Sequence, residues 1–338
     1  MFYTVLAMHM SDALVSAKVG AIMWVVFLLL LFYSARKSAQ NFGKLNVPLM
    51  GVMAAFVFAA QMLNFSIPAT GSSGHIGGGI LLAAALGAYP AFIALSSVLF
   101  IQALFFADGG ILALGCNAFN MAFFACFVAY PLLFVPIVRK SKGKFAVIAA
   151  SVLSCVLTLQ CGSFCVVLET LCSDITELDF KTFLLFMQPI HLAIGLVEGV
   201  ATALVLLALK CSNAFVFNGL SDGKFLPSNK GAVFIVAMAA LVFGSLFSIY
   251  ASEKPDGLEW SLQNTAKTEI VAEKSAAHLA SENIANNTAI FGDYSTPMLN
   301  GSASTAAAGL FGSLITAAFL FAGYFAVKLA TKTNLNGK

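Results

Sequence analysis

The pair Met8-His9 near the start of the chain has a spacing that suits metal chelation. If translation starts at Met8, its free α-amine, the backbone nitrogen of His9 and the His9 imidazole can close fused five- and six-membered chelate rings around one ion. These donors would lie nearly in one plane. Such a site needs an unprotonated amine and imidazole, so we expect its affinity to fall steeply in acid. Because the preceding segment MFYTVLA would turn the amine into a peptide nitrogen, the hypothesis requires a start at Met8.

A second histidine, His75, lies in the stretch GSSGHIGGG, residues 71–79, between two apolar runs. A fourth nitrogen from its imidazole would complete a square-planar site, the geometry that favours Ni(II) or Cu(II) over oxygen-preferring ions. The glycines beside His75 would let this loop approach a ligand closely. In the alternative interpretation His9 is a hydrated interfacial residue, His75 caps a helix, and the glycines only allow close helix packing.

Other polar residues could support such a site. Asp108 could accept a hydrogen bond from a ligating imidazole and so orient it, or simply cap a helix. Glu198 lies two helical turns beyond His191 in an apolar segment, where charge is costly and therefore informative. Its alternative role is an internal hydrogen bond that locks the bundle. Asn117 and Asn120 could belong to the same internal network.

An enzymatic interpretation is based on the stretch GSSG, residues 71–74, which matches the G-x-S-G of rhomboid-type intramembrane proteases. His191 would then be the base of a dyad with Ser73. Short matches of this kind are common in loops rich in glycine and serine, so the signal is weak. The sequence has no HExxH motif and no GxxxxGK(S/T) phosphate-binding loop. Any coupling to ATP must therefore come from another polypeptide.

The composition indicates that the elements carrying these residues lie in a lipid bilayer. Of the 338 residues, 60% are hydrophobic and 10% are charged, and the mean hydropathy is +0.92, which leaves too little polar surface for a soluble globule. A helical span needs roughly 20 apolar residues, and an open sheet cannot satisfy its backbone in lipid. We therefore predict an all-α, polytopic membrane helix bundle. The predicted spans are 14–35, 47–65, 76–88, 90–107, 114–138, 145–168, 186–209, 231–250 and 309–329.

Basic residues are unevenly shared between alternate loops, which predicts the orientation. Of the 18 lysines and arginines, those that fall on one side are Arg36, Lys37, Lys44, Arg139, Lys140, Lys142, Lys144, Lys210, Lys224, Lys230, Lys328, Lys332 and Lys338. We expect the N-terminus outside the cell and the C-terminus in the cytoplasm, with His9 and His75 near the outer face of the cell membrane. His278 falls in a polar external loop and is expected to be solvated. The net charge of +3 reflects this distribution and gives no support for nucleic-acid binding.

A polar connection after the seventh span separates two parts of the chain. Residues 8–210 are predicted to form a seven-helix bundle, 211–230 a cytoplasmic linker, and 231–329 a smaller module with two transmembrane helices and an external loop. Within that loop, 264–284 are predicted to be helical and 285–308 to be flexible.

Taken together, these stretches resemble the CbiM/NikM family, the cobalt- or nickel-binding membrane subunits of energy-coupling-factor transporters. The matching segments are MHMSDALV at 8–15, GSSGHIGGG at 71–79, QALFFADGGILALGCNAFNM at 102–121 and QPIHLAIGLVEGVATALV at 188–205. The smaller module looks like the family's appended PDGLE domain, because PDGLEW occurs at 255–260.

The resemblance implies a substrate-binding bundle in which Met8, His9 and His75 bind the ion. It also implies partners, since family members transfer the ion when a transmembrane coupling subunit and a pair of ATPase subunits drive reorientation of the bundle. We thus expect transported Co(II) or Ni(II), no permanently bound cofactor and no ATPase activity in this chain. The alternative is a self-sufficient secondary metal transporter or channel. It would be indicated by polar residues across several spans, and here only Glu198 lies deep.

Overall fold

Helices form most of the chain in the computed structural model. The structure describes residues 9–40, 47–141, 143–211, 230–247, 252, 254–266, 275–296, 298–299 and 301–336. The helices are α1 (Ala17–Gln40), α2 (Val47–Gln61), α3 (Gly79–Leu86), α4 (Ala88–Phe105), α5 (Leu114–Lys140), α6 (Lys144–Ser173), α7 (Phe180–Cys211), α8 (Lys230–Val242, continued by wide turns over Phe243–Phe247), α9 (Gly257–Thr265), α10 (Ala276–Thr288) and α11 (Ser302–Asn336).

Six of the helices in the described part of the chain are long and apolar enough to cross a membrane. They are α1, α4, α5, α6, α7 and α11, while α2 and α8 are shorter apolar helices. The predicted all-α, polytopic membrane bundle is therefore confirmed. Apolar residues surround the central helices on all sides, as expected for helices buried within a bundle. Val57, Phe58, Leu82 and Phe92 of α2, α3 and α4 are fully buried in this core.

Several predicted boundaries were wrong near the loop that carries His75. Helix α2 ends at Gln61 rather than at residue 65, because Phe65–Ser66 (β1) pairs with Ser73–Gly74 (β2) in a small antiparallel sheet. The predicted span 76–88 contains only the eight-residue helix α3. At about 1.5 Å per residue, α3 is far too short to cross a bilayer.

The glycines at the two ends of α3 explain its length. Gly78 and Gly87 have φ values of 75° and 86°, a left-handed conformation that interrupts a helix and that glycine adopts at little cost. Gly79 packs directly on Ala125 of α5. The small residues of this stretch thus permit close packing between helices, as one of the two interpretations of the sequence proposed.

The predicted structure of the C-terminal loop was also partly wrong. Within 264–284, which was expected to be helical, the described residues form the end of α9 and most of α10, and 267–274 lie outside the described residues. Helix α10 continues through Thr288, into the stretch expected to be flexible. Helix α9 begins inside the PDGLE motif because Asp256 and Glu259 form a reciprocal capping box. Helix α11 begins at Ser302, within the stretch predicted to be flexible.

Helices α8 and α11 pack against the bundle. Phe56 contacts Phe243 with ring centroids 5.5 Å apart, and Phe105 contacts Phe311 at 5.9 Å. Gly312 lies against the ring of Phe58, where an added Cβ would clash. The predicted linker 211–230 falls almost entirely outside the described residues, so the domain boundary stays a prediction.

Candidate metal centre

The segment that begins at His9 is folded into one end of the bundle, which we term the histidine end because it holds His9 and His75. His9 is only 4% exposed. The side-chain amide of Asn117 on α5 binds the backbone of Met10, the residue after His9. Asn117 Oδ1 accepts from Met10 N and Asn117 Nδ2 donates to Met10 O, each at 2.9 Å. Asp12 Oδ1 accepts from Ala113 N at 2.9 Å. These bonds hold the backbone that places the His9 ring.

The loop that carries His75 is anchored on both sides of the site. Gly78 N donates to Glu198 Oε1 on α7 at 2.9 Å, and Gly77 O accepts from Gln61 Nε2 on α2 at 2.9 Å. The loop lies so close to α7 that a Cβ on Gly74 would come within 2.6 Å of Ile194. Glycine therefore allows the close approach that the sequence suggested.

The two histidines meet at the centre of this end. The centroids of the His9 and His75 rings are 5.3 Å apart, and the ring planes cross at 73°. Because a ring nitrogen binds a transition ion at about 2 Å, one ion between the rings can contact both. The predicted pairing of His9 with His75 is thus present in the geometry, although only a binding measurement can test their role as ligands.

A cavity of about 90 Å³ adjoins the two rings. Its polar lining residues include His9, His75, Asn117, Asn120, Thr158, Ser163, His191, Glu198 and Asp256. No cysteine lines it among the described residues, which also hold no cluster of three or more His, Cys, Asp or Glu side chains suited to a metal ion. Met8, the predicted source of an amine ligand, lies outside the described residues.

Asp108 lies beside His9 but is not its nearest partner. The Asp108 carboxylate is 3.9 Å from His9 Nε2, whereas Gln102 Oε1 is 3.1 Å from the same nitrogen. Asp108 instead accepts a hydrogen bond from the Tyr294 hydroxyl. Burial and the Asp108 charge raise the pKa of Tyr294 well above its usual range, so its phenol stays protonated and donates to the carboxylate.

Asn120, Glu198 and His191, the remaining predicted residues, also line the cavity, and each hydrogen-bonds a different partner. Asn120 donates to Glu169 Oε2 at 2.7 Å, so it is not part of the group formed by Asn117. Glu198 makes an internal hydrogen bond to the His75 loop, the alternative role considered for it. His191 bonds the carbonyl of Met187 through Nδ1 at 2.7 Å.

The geometry does not favour the protease alternative. The Ser73 hydroxyl donates to the carbonyl of Lys254 at 2.7 Å, and His191 Nδ1 is engaged with a backbone carbonyl of its own helix. A Ser-His dyad needs a hydrogen bond between the two side chains. Here the Ser73 hydroxyl donates to a backbone carbonyl instead.

The PDGLE segment was not predicted to take part in the site, yet it covers the cavity. Ser73 N donates to Pro255 O at 2.8 Å, and both Asp256 and Gly257 line the cavity. Gly257 is in contact with His191, since an added Cβ would lie 3.2 Å from its ring. Burial, with the nearby carboxylates of Glu259 and Asp108, raises the pKa of Asp256 well above its usual range. The segment therefore forms part of the wall of the site.

The expectation that His278 is solvated was wrong. His278 is buried, and its Nε2 lies 3.1 Å from Asp12 O and 2.9 Å from Val15 O. Ser281, one turn later on α10, hydrogen-bonds the carboxylate of Asp12. Helix α10 thus holds Asp12 and Val15 in place through contacts between residues more than 260 positions apart in sequence.

Two buried glutamines, Gln61 and Gln102, were missed as parts of the site. Both side chains are fully buried within apolar helices. An amide in such a helix is costly unless it has a partner. The glutamines in the apolar stretches VFAAQM and LFIQAL could therefore have been identified from the sequence as buried, hydrogen-bonded residues.

We expect Asn117→Leu to lower Ni(II) affinity by about 10- to 100-fold, because both hydrogen bonds that place the His9 backbone are lost. Asn117→Asp keeps the acceptor for Met10 N and should have a smaller effect. Isothermal titration of the purified full chain measures both. Wild-type affinity in the folded Asn117→Leu protein would show that Asn117 does not position His9.

Two family models match this chain. Residues 9–216 match the model described as CbiM, cobalt uptake substrate-specific transmembrane region, and residues 230–329 match the PDGLE domain. Among curated proteins, the chain is 32% identical over 315 residues to the putative fused nickel transport protein NikMN of Archaeoglobus fulgidus, covering 93% of this chain and 97% of that protein. It is 33% identical over 155 residues to the cobalt transport protein CbiM of a Nostoc species, covering 45% of this chain and 59% of that protein.

A solved structure has a similar fold over part of this chain. The crystal structure of a truncated transition metal transporter superposes with a TM-score of 0.53 at 32% sequence identity, covering 60% of this chain and 99% of that one. The likeness thus extends over almost the whole of that structure.

Proposed function

Because this chain belongs to the CbiM family of cobalt uptake substrate-specific transmembrane proteins, we propose that it is the substrate-binding component of an ATP-driven energy-coupling-factor transporter that imports Co(II) or Ni(II). It is a multi-pass membrane component of cobalt or nickel transport. The meeting of His9 and His75 beside one cavity carries the proposal, because it brings together two imidazoles from distant parts of the chain.

We assign the ion four nitrogen ligands: the α-amine of Met8, the backbone nitrogen of His9, the His9 imidazole and the His75 imidazole. The buried position of His9 against the cavity supports this set, because it places one of the proposed ligand residues at the site. A site of nitrogen donors selects transition ions against Mg(II) and Ca(II), which prefer oxygen. Protons compete for the same nitrogens, so binding should weaken as the pH falls.

The proposed partners are a transmembrane coupling subunit and a pair of ATPase subunits. The chain has no phosphate-binding GxxxxGK(S/T) loop, so the energy source lies in those partners. We place the histidine end on the outer side of the cell membrane, as the distribution of lysine and arginine predicts. The ion would enter there and leave towards the cytoplasm when the bundle reorients.

Uptake measurements test the proposed coupling to ATP. In cells lacking their own high-affinity nickel uptake, we expect the chain to accumulate Ni(II) only when the coupling and ATPase subunits are also expressed. Replacing the phosphate-loop lysine in the ATPases should reduce accumulation to background. Accumulation by the purified chain alone in liposomes without ATP would instead favour the secondary transporter or channel.

A further inference from the structure

A series of three hydrogen bonds connects His9 to the loop that carries His75. Gln61 Nε2 donates to Gly77 O at 2.9 Å, Gln102 Nε2 donates to Gln61 Oε1 at 2.9 Å, and Gln102 Oε1 lies 3.1 Å from His9 Nε2. Gln61 and Gln102 have no solvent exposure. Water therefore does not compete for these bonds.

The backbone carbonyl at one end fixes the direction of every bond in this series. Gly77 O can only accept, so the Gln61 amide must turn its NH₂ group towards it. Gln61 Oε1 then faces Gln102 and accepts from Gln102 Nε2. This leaves Gln102 Oε1 for His9, and an oxygen acceptor requires that His9 Nε2 carry the proton.

The Tyr294 hydroxyl agrees with this direction. It lies beside the Gln102 side chain and donates to Asp108. Because its own proton goes to the carboxylate, the phenol oxygen faces Gln102 as an acceptor, which suits the N–H side of the amide. A flipped Gln102 amide would lose its bond to Gln61 Oε1.

We propose that Gln61 and Gln102 are positioning residues that keep the proton of His9 on Nε2 and thereby present Nδ1 to the metal. The proposal rests on the function proposed above. Counting the metal, the backbone nitrogen, Cα, Cβ, Cγ and Nδ1, a six-membered chelate ring with the His9 backbone closes only through Nδ1. With the proton on Nδ1, no such ring could form. The glutamines therefore prepare the chelating form of His9 before the ion arrives.

The same series ties the two halves of the site together. Gly77 follows His75 by two residues, and the next residue, Gly78, is held by Glu198. The position of the His75 loop is thus linked to the orientation of the His9 ring. A neutral amide also raises the basicity of a ligating histidine less than a carboxylate does, which suits a site that must release its ion.

Nuclear magnetic resonance of the metal-free, full-length protein tests the proposal without relying on metal binding. With ¹⁵N-labelled histidine at a pH where the ring is neutral, we expect a slowly exchanging His9 Nε2–H signal. It is assigned by its absence in His9→Ala. Gln102→Leu should lose this protected signal, whereas Gln102→Glu keeps an acceptor and should retain it. The matched control is Gln188→Leu, since the Gln188 side chain bonds Gln160 O and Ser163 Oγ on α6, away from the His9 series, and its loss should leave the signal unchanged.

Titration with Ni(II) provides the second measurement. Gln102→Leu should lower the affinity by about 10- to 100-fold, and Gln61→Leu should lower it as well although Gln61 does not contact His9. Gln188→Leu should bind as the wild type does. If Gln102→Leu does not fold, Gln61→Leu and Gln102→Glu still test the series.

The outcomes separate this proposal from the proposed function. A wild-type ring protonated on Nδ1, or a protected Nε2–H signal that survives in Gln102→Leu, would overturn the positioning role even if Ni(II) binds tightly. If the protected signal is lost in Gln102→Leu but the wild-type protein binds neither Ni(II) nor Co(II), the result supports the series of hydrogen bonds and contradicts the proposed metal site.

Discussion

Replacing His75 with alanine is expected to lower the affinity of the protein for Ni(II) and Co(II) by at least about 100-fold. The substitution removes one of four proposed nitrogen ligands. Losing a ligand lowers metal affinity by more than the 10- to 100-fold that is typical for residues that hydrogen-bond the ligands. The anchors of the loop involve the backbone of Gly77 and Gly78, so the helices should pack as before. Equilibrium dialysis of the purified full chain measures the change.

His191→Ala is the matched control for this substitution. His191 lines the same cavity, but its Nδ1 is bonded to the carbonyl of Met187. We expect its loss to change the affinity by only a few fold. Equal affinities for wild type and His75→Ala would remove His75 from the site. An equal loss in both variants would point to the cavity rather than to a particular ligand.

The second large effect is expected at the start of the chain. A protein that begins at Met8 should bind Ni(II) at least about 100-fold more tightly than one that begins at Met1 and carries Met8→Leu to prevent the internal start. In the longer protein the nitrogen of residue 8 is a peptide nitrogen and cannot act as an amine ligand. Only the shorter form should show the visible absorption of square-planar Ni(II).

Mass spectrometry of each intact protein confirms its first residue before the titration. Met10→Leu in the shorter form is the control for the Met-to-Leu change, because Met10 is buried and a leucine of similar volume is tolerated there. If the form that begins at Met1 alone binds Ni(II) with full affinity, the amine is not a ligand. His9 and His75 would then form a weaker pair.

The sequence predicted the fold class and the pairing of His9 with His75, for different physical reasons. Long apolar stretches are a strong signal in lipid because the backbone has no alternative to the helix. The two histidines could be paired because each lies next to the same membrane face once the spans are drawn. Helix ends were less predictable: α2 stops at Gln61 because β1 and β2 pair, and that pairing depends on a turn rather than on hydropathy.

The sequence did not predict the contacts that cross between the two parts of the chain. His278 was expected in water because its neighbours are polar, yet it lies on the carbonyls of Asp12 and Val15. A polar helix can bury one side against a distant segment, and a local pattern cannot identify that segment. The capping box of α9 could have been found, because Asp256 and Glu259 have the required spacing.

The hydrogen bonds from α10 to Asp12 and Val15 affect how fragments should be designed. His278 and Ser281 secure Asp12, and Pro255 holds Ser73. A protein shortened to its first seven helices would lose these supports at both segments that carry the histidines. We therefore expect a shortened protein to hold its two histidines less firmly and to bind the ion more weakly than the intact chain does.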